Sequence, residues 1–182
     1  YFLGIMINAD GKRFLDEGKN FRNYTYAQYG AKVLEQPGHF AWQIFDKKVE
    51  NLLYDEYFFS DASFVEANTL EELARKMEGV NLKNCLNTIK SYNLSCKSNR
   101  KFDPTILDGK KAVNLKIPKS NWALTLDTPP YRAYPVTGGI TFTYGGLKIS
   151  NQGNVLNKDD KPIEGLYACG ELVGGVFLNG YP

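Results

Sequence analysis

The sequence predicts an α+β protein whose two ends are sheet-rich and whose middle mixes helix and strand. Three observations carry this reading. The opening YFLGIMIN and the later YRAYPVTGGITFTYGGLKISNQGNVL are rich in β-branched and aromatic residues, with turn signals between them. Residues 69–96 repeat apolar positions at helical spacing behind a start signal. Residues 97–130 are broken by Asp103-Pro104, Asp108-Gly109, Ile117-Pro118 and Pro129-Pro130, as a long loop would be. Helix between two sheet-rich ends fits a domain inserted into a parent sheet.

Residues 1–8 read as a strand, Ala9-Asp10-Gly11-Lys12 as a turn of the Asp-Gly type, and Arg13-Phe14-Leu15 as strand resumed. Residues 22–36 space Tyr26, Tyr29, Ala31, Val33 and Leu34 loosely as a helix that Pro37-Gly38 ends. In HFAWQIFD, Phe40, Trp42 and Ile44 alternate onto one strand face and Phe45 onto the other. Lys47–Tyr57 reads as a short polar-aromatic helix. Thr69 with Glu72 three residues later matches a capping box, and LEELARKM is the helix behind it. A second helix from Asn81 to about Cys96 places Leu82, Cys85, Leu86, Ile89 and Tyr92 on one face. Beyond residue 130, Asn151-Gln152-Gly153 and Lys158-Asp159-Asp160-Lys161 are expected turns.

The balance of 22 basic and 20 acidic residues leaves a net charge of +2 with no block of one sign, which gives nucleic acid or an anionic membrane surface no support. No apolar run approaches the ~20 residues of a membrane span. The three cysteines, Cys85, Cys96 and Cys169, have neither metal-ligand spacing nor an even number, so buried thiols are expected and a metal site is not. His39 is the sole histidine, set in a loop after Pro37-Gly38. A Ser-His-Asp or Cys-His triad would have to route through it, so proton chemistry falls to carboxylates, tyrosines and arginine.

The glycine pairs Gly138-Gly139, Gly145-Gly146 and Gly174-Gly175 are interleaved with strand-like runs. They read either as turn chemistry or as backbone drawn close to something flat or phosphorylated. No GxGxxG or GxxxxGK[ST] stretch occurs, so no complete dinucleotide or P-loop site is expected in these residues. The chain starts on an apolar run and closes on IEGLYACGELVGGVFLNGYP, which reads as the middle of a site. The expectation is a piece of a larger protein.

Two stretches carry a resemblance. Residues 133–182, with PIEGLYACGE leading into Gly174-Gly175, and GIMINADGKRFLDE near the start are similar to the FAD-dependent succinate dehydrogenase/fumarate reductase flavoprotein family. FRNYTYA, FDPTILDG, PKSNWA and the Thr-Phe-Thr stretch before Tyr144 most resemble its tricarballylate dehydrogenase branch. The resemblance implies a capping domain of a fumarate-reductase-type flavoprotein with flanking strands of its FAD-binding domain. Residues 1–36 would be the edge of the FAD-binding domain leading into the cap, 37–128 the cap, and 129–182 an incomplete return.

It further implies FAD as cofactor, with Glu171 accepting from FAD hydroxyls and Gly145, Gly146, Gly170, Gly174 and Gly175 bringing backbone close to it. Arg22 matches, with a one-residue insertion after Glu17, the arginine that donates a proton to substrate in fumarate-reducing members. Arginine keeps its proton to above about 12, so it would act with a relay, for which Glu17 and Asp16 are the candidates. It would also clamp a carboxylate and steady a carbanion. Fumarate reductases have a histidine within the stretch of Thr141, Phe142 and Thr143 and an arginine at Tyr181. Their absence turns the expectation from plain fumarate or succinate toward a polycarboxylate such as tricarballylate, bound by Thr141, Thr143, Tyr144, Tyr181 and Arg132, with Lys119 a further source of charge. The implied partners are that substrate, the remaining FAD-domain segments of the parent chain and an electron-transfer acceptor. The implied setting is the bacterial cytoplasm, with any membrane association running through that acceptor. The alternatives are an inactive capping-domain fragment, or a flavoprotein acting on fumarate, urocanate or a ketosteroid.

Overall fold

The computed structural model describes residues 1–140 and 143–175. They fall into two compact units, Tyr1–Gly138 and the residues from Gly139 onward. The first unit holds a four-stranded antiparallel sheet formed by β1 (Ile5–Ile7), β2 (Phe40–Asp46), β3 (Val65–Ala67) and β4 (Tyr131–Thr137), in the order β1-β2-β4-β3. Three helices accompany it, α1 (Arg22–Leu34), α2 (Leu70–Lys76) and α3 (Leu82–Ser95). The expected mixture of helix and strand is present.

β2 sits between two partners, with Trp42 opposite Ile7 on one side and Pro135 on the other, and is buried along nearly its whole length. Its alternation sets the two layers. Trp42 and Ile44 join Ile5, Ile7 and Ala133 under α2 and α3, where Leu73, Met77, Cys85, Ile89 and Tyr92 complete the main core. Ala41 and Met6 face the other way, against Tyr29 and Val33 of α1. Phe45 leads a third cluster with Leu3, Val49 and Tyr134. The sheet draws on all three sequence segments: one strand from 1–36, two from 37–128 and one from 129–182.

The helix starts follow the expected chemistry at α2 and α3. Thr69 Oγ1 accepts from the Glu72 amide at 3.1 Å, and acids in the first turn and bases in the last suit the helix dipole. Asn81 Oδ1 caps the Asn84 amide at 3.0 Å. On α3, Cys85, Ile89 and Tyr92 face the core and Leu86 packs against it, whereas Leu82 in the first turn is exposed.

Two expectations give way. Arg13–Leu15 forms no strand, because the Glu17 carboxylate takes the outward-facing Met6 amide of β1 at 2.8 Å and so closes the edge a further strand would have used. Lys47–Tyr57 is two short 3-10 helices, Lys47–Leu52 and Asp55–Phe58, separated by extended Leu53 and Tyr54. The stretch 97–130 is irregular, as expected, and it is firmly packed. Trp122, fully buried, donates from Nε1 to the Asp103 and Ile106 carbonyls, while Asp108 Oδ1 accepts from the Lys110 and Trp122 amides.

In the second unit, β5 (Asn154–Leu156) and β6 (Pro162–Tyr167) form an antiparallel hairpin, closed at the expected turn by hydrogen bonds between Asn157 and Lys161. Gly153, at φ +82°, makes the other expected turn, where a side chain would be strained. Of the cysteines, only Cys85 is buried; Cys96 is half-buried and Cys169 is exposed beside Gly170. Burial pushes the Cys85 thiol up to about 11.

Candidate functional site

Arg22 is the first residue of α1, and the sequence supplies that helix start with nothing to satisfy it. Phe21 occupies the cap position without a side-chain oxygen, and the first turn holds no acid. A cation therefore stands at the positive end of a helix dipole, where an anion is preferred. Among the described residues Arg22 has no ion pair. Its guanidinium lies over the Tyr54 ring, 4.6 Å from the centroid. The Tyr1 hydroxyl lies 2.6 Å from Thr25 Oγ1 and donates to the Arg22 carbonyl at 3.2 Å. Uncapped amides and an unneutralised guanidinium thus meet at one point of the surface, an arrangement suited to binding an anion.

The expected relay partners are engaged elsewhere. Glu17, fully buried, holds Arg13 through both carboxylate oxygens. Asp16 accepts from the Gly18 and Ser120 amides and from Ser120 Oγ. Neither carboxylate touches Arg22. Arg132, expected among the substrate ligands, is bound on both sides, to Glu50 Oε1 at 2.8 Å and to Glu66 Oε2 at 2.5 Å, so its charge is answered within the fold. Lys119 is buried, donates to the Gly4 carbonyl at 2.6 Å, and is no surface charge. His39 sits exposed in its loop, with Nδ1 2.5 Å from the Leu34 carbonyl.

The second unit holds all six of the expected cofactor residues. Glu171 lies in a 3-10 helix, Gly170–Leu172, and its Oε1 accepts from the Thr143 amide at 3.1 Å. Its other oxygen has no hydrogen bond among the described residues. Leu147 bridges Val173, with the Leu147 amide donating to Leu172 and the Gly174 amide to Leu147. This close crossing explains two glycines: a side chain on Gly146 would stand 2.4 Å from the Leu172 carbonyl oxygen, and one on Gly174 would stand 2.6 Å from the Gly146 nitrogen. They serve contact of chain with chain. Gly145, Gly170 and Gly175 face open space, the last two at positive φ, and leave their backbone approachable. Tyr144 is part-exposed, with its carbonyl accepting from Gly175. Thr141 and Tyr181 lie outside the described residues.

The profile of the FAD binding domain family matches residues 4–182. The chain belongs to that family. FAD is the cofactor of these flavoproteins, and the open glycines with a half-free Glu171 carboxylate suit its hydroxyl-bearing chain. A probable fumarate reductase from Shewanella frigidimarina is 31% identical over 173 residues, covering 94% of this chain and 26% of that protein. A 3-oxosteroid 1-dehydrogenase from Mycolicibacterium smegmatis is 29% identical over 202 residues, covering 98% and 34%. Among solved structures, the open conformation of a flavocytochrome c3 fumarate reductase superposes with a TM-score of 0.68 at 30% identity, covering 95% of this chain and 28% of that one. A 3-ketosteroid Δ1-dehydrogenase from Sterolibacterium denitrificans, in complex with 1,4-androstadiene-3,17-dione, gives 0.68 at 25% identity, covering 98% and 35%. The chain spans about a quarter to a third of each of these relatives.

Sequence reasoning singled out Arg22 and Glu171 by motif and did not single out Tyr54. A signal was present at Arg22 itself, in a helix start with no capping residue and no first-turn acid.

Proposed function

We propose that the chain is part of a flavin-dependent oxidoreductase that acts on a carbon–carbon bond of a small carboxylate, tricarballylate being the branch substrate to try first. Bound FAD supplies the two-electron chemistry. The cap over the substrate is built around residues 37–128. Because β2 lies between β1 and β4, we place those flanking strands with it, so that Tyr1–Gly138 is the cap and the residues from Gly139 form a rim of the flavin site. In that rim Glu171 accepts from FAD hydroxyls, and Gly145, Gly170 and Gly175 admit it closely. Thr141, Thr143, Tyr144 and Tyr181 are proposed to hydrogen-bond the substrate carboxylates. An electron-transfer acceptor and the other FAD-domain segments complete the enzyme.

The observation that carries this reading is the unneutralised Arg22 at an uncapped helix start. Five N–H donors on a fixed plane match a carboxylate bidentately, and the same charge stabilises a carbanion beside it. With Glu17 and Asp16 engaged elsewhere, the substrate's own carboxylate is the counter-ion this arginine lacks.

In the full-length holoenzyme, Arg22→Lys is expected to cut kcat by at least about 100-fold while FAD stays bound at full occupancy. Near-normal turnover would remove Arg22 from the mechanism. Bleaching of oxidised flavin by tricarballylate, succinate and a 3-ketosteroid, tried in turn, tests the substrate class. Bleaching by the steroid alone would replace the carboxylate reading.

A further inference from the structure

We infer that Tyr54 is a positioning residue, which holds the Arg22 guanidinium by its flat face so that the N–H edge stays open to a carboxylate. The inference rests on the reading of Arg22 given above and names what keeps that arginine in place.

Two other arginines of the first unit show the usual solution. Arg13 is gripped by Glu17, and Arg132 by Glu50 and Glu66. Each also lies over a ring, Arg13 at 5.4 Å from the Tyr92 centroid and Arg132 at 5.3 Å from that of Phe64, but each is neutralised by carboxylate, with donors spent on it. An arginine that must meet a substrate carboxylate cannot be fixed that way. A ring without a carboxylate is the remaining way, because a cation over its face is attracted while the donors, which lie in the guanidinium plane, remain unused. At 4.6 Å from the Tyr54 centroid, Arg22 has that contact and no carboxylate.

The support behind Tyr54 is rigid. It is extended between the 3-10 helices Lys47–Leu52 and Asp55–Phe58, and its carbonyl accepts from the Tyr57 amide at 3.1 Å. On one side Leu53 packs against the Phe45 and Tyr134 cluster. On the other, Tyr57 packs edge-on to both of those rings and donates to Gln43. Tyr54 belongs to no core cluster: it is 45% exposed, and among the described residues its hydroxyl has no hydrogen-bond partner. Core packing does not account for the ring, and the stack on Arg22 does. The charge of Arg22 also reaches the neighbouring phenols, drawing Tyr1 and Tyr57 down against the larger upward push of burial. Without the ring, a cation at the positive end of α1 would swing outward into water.

The test uses the full-length holoenzyme with tricarballylate and fumarate as probes. Tyr54→Leu should raise KM about tenfold, with a smaller fall in kcat. Tyr54→Phe, which keeps the ring, should stay within about twofold of wild type. Flavin content and reoxidation of the reduced flavin by dioxygen should not change, and Tyr54→Leu should add nothing in an Arg22→Lys background. Wild-type kinetics in Tyr54→Leu beside a crippled Arg22→Lys would overturn this inference alone. So would equal damage from Phe and Leu, which would assign the effect to the hydroxyl. An active Arg22→Lys would instead overturn the reading beneath both. Should Tyr54→Leu lose its flavin, Tyr54→Gln removes the ring while keeping a polar side chain, and carries the same expectations.

Discussion

Lys119 is wholly buried, with its ammonium on the Gly4 carbonyl, Tyr92 6.0 Å below it, and Arg13, Glu17, Asp16 and Cys96 as its charged or titratable neighbours. Burial dominates and lowers its pKa from 10.5 to about 8, against the upward pull of Glu17. Below pH 8 both folded and unfolded chains carry the proton, so the folded state bears the full desolvation cost. Between pH 8 and 10.5 only the unfolded chain holds the proton, and stability from this group rises with pH. The drop corresponds to on the order of 3 kcal/mol. Cys85 and Cys96, both raised by burial, act in the opposite direction over the same range. The difference between wild type and Lys119→Met in urea unfolding isolates the lysine. The variant should be more stable by about 1–2 kcal/mol at pH 7, with the gap closing toward pH 10. A gap that does not change with pH would show that the ammonium is solvated. The sequence could not foretell this: Ile117-Pro118-Lys119 looks like surface loop, and only the crossing of that loop over β1 takes the lysine inside.

The elements divide by how locally they are determined. β2 was readable because its two-residue period is written within seven consecutive residues, and α2 because its start signal is four residues long. Thr69→Ala tests the latter. Loss of one cap bond should cost about 1 kcal/mol and lower the thermal midpoint by roughly 3–5 °C, while Thr69→Ser should restore most of it. Elements that answer to distant partners were not readable. Arg13–Leu15 has strand composition, yet Glu17 reaches back to Met6 and leaves it no edge. Residues 97–130 have loop composition, yet Trp122 and Asp108 tie them into the interior across a dozen or more positions. The candidate site divides the same way. Arg22 and Glu171 lie in contiguous motifs, whereas the stack of Tyr54 on Arg22 spans 22 to 54 and leaves no periodic trace.

For the whole molecule, the second unit has little interior of its own. Every residue of β6 is exposed, including Ile163, Leu166 and Tyr167, and Leu147 and Leu172 are exposed as well. Val155 is the buried hydrophobic residue of this unit among those described. Apolar area left in water contributes nothing to folding. With about a quarter to a third of each compared relative's length present, the purified 182-residue chain is expected to show no flavin band in its visible spectrum, and the full-length protein is expected to be yellow. A yellow 182-residue chain would mean that these residues hold the cofactor unaided.

Cys169 stands exposed one residue from Gly170, while the other two thiols are buried or half-buried. Chemistry has therefore been left a single convenient handle at the proposed rim. A maleimide dye placed there, with no cysteine removed, would sit two residues from Glu171 and report by quenching when an isoalloxazine arrives. The assembly of the flavin site could then be followed in real time.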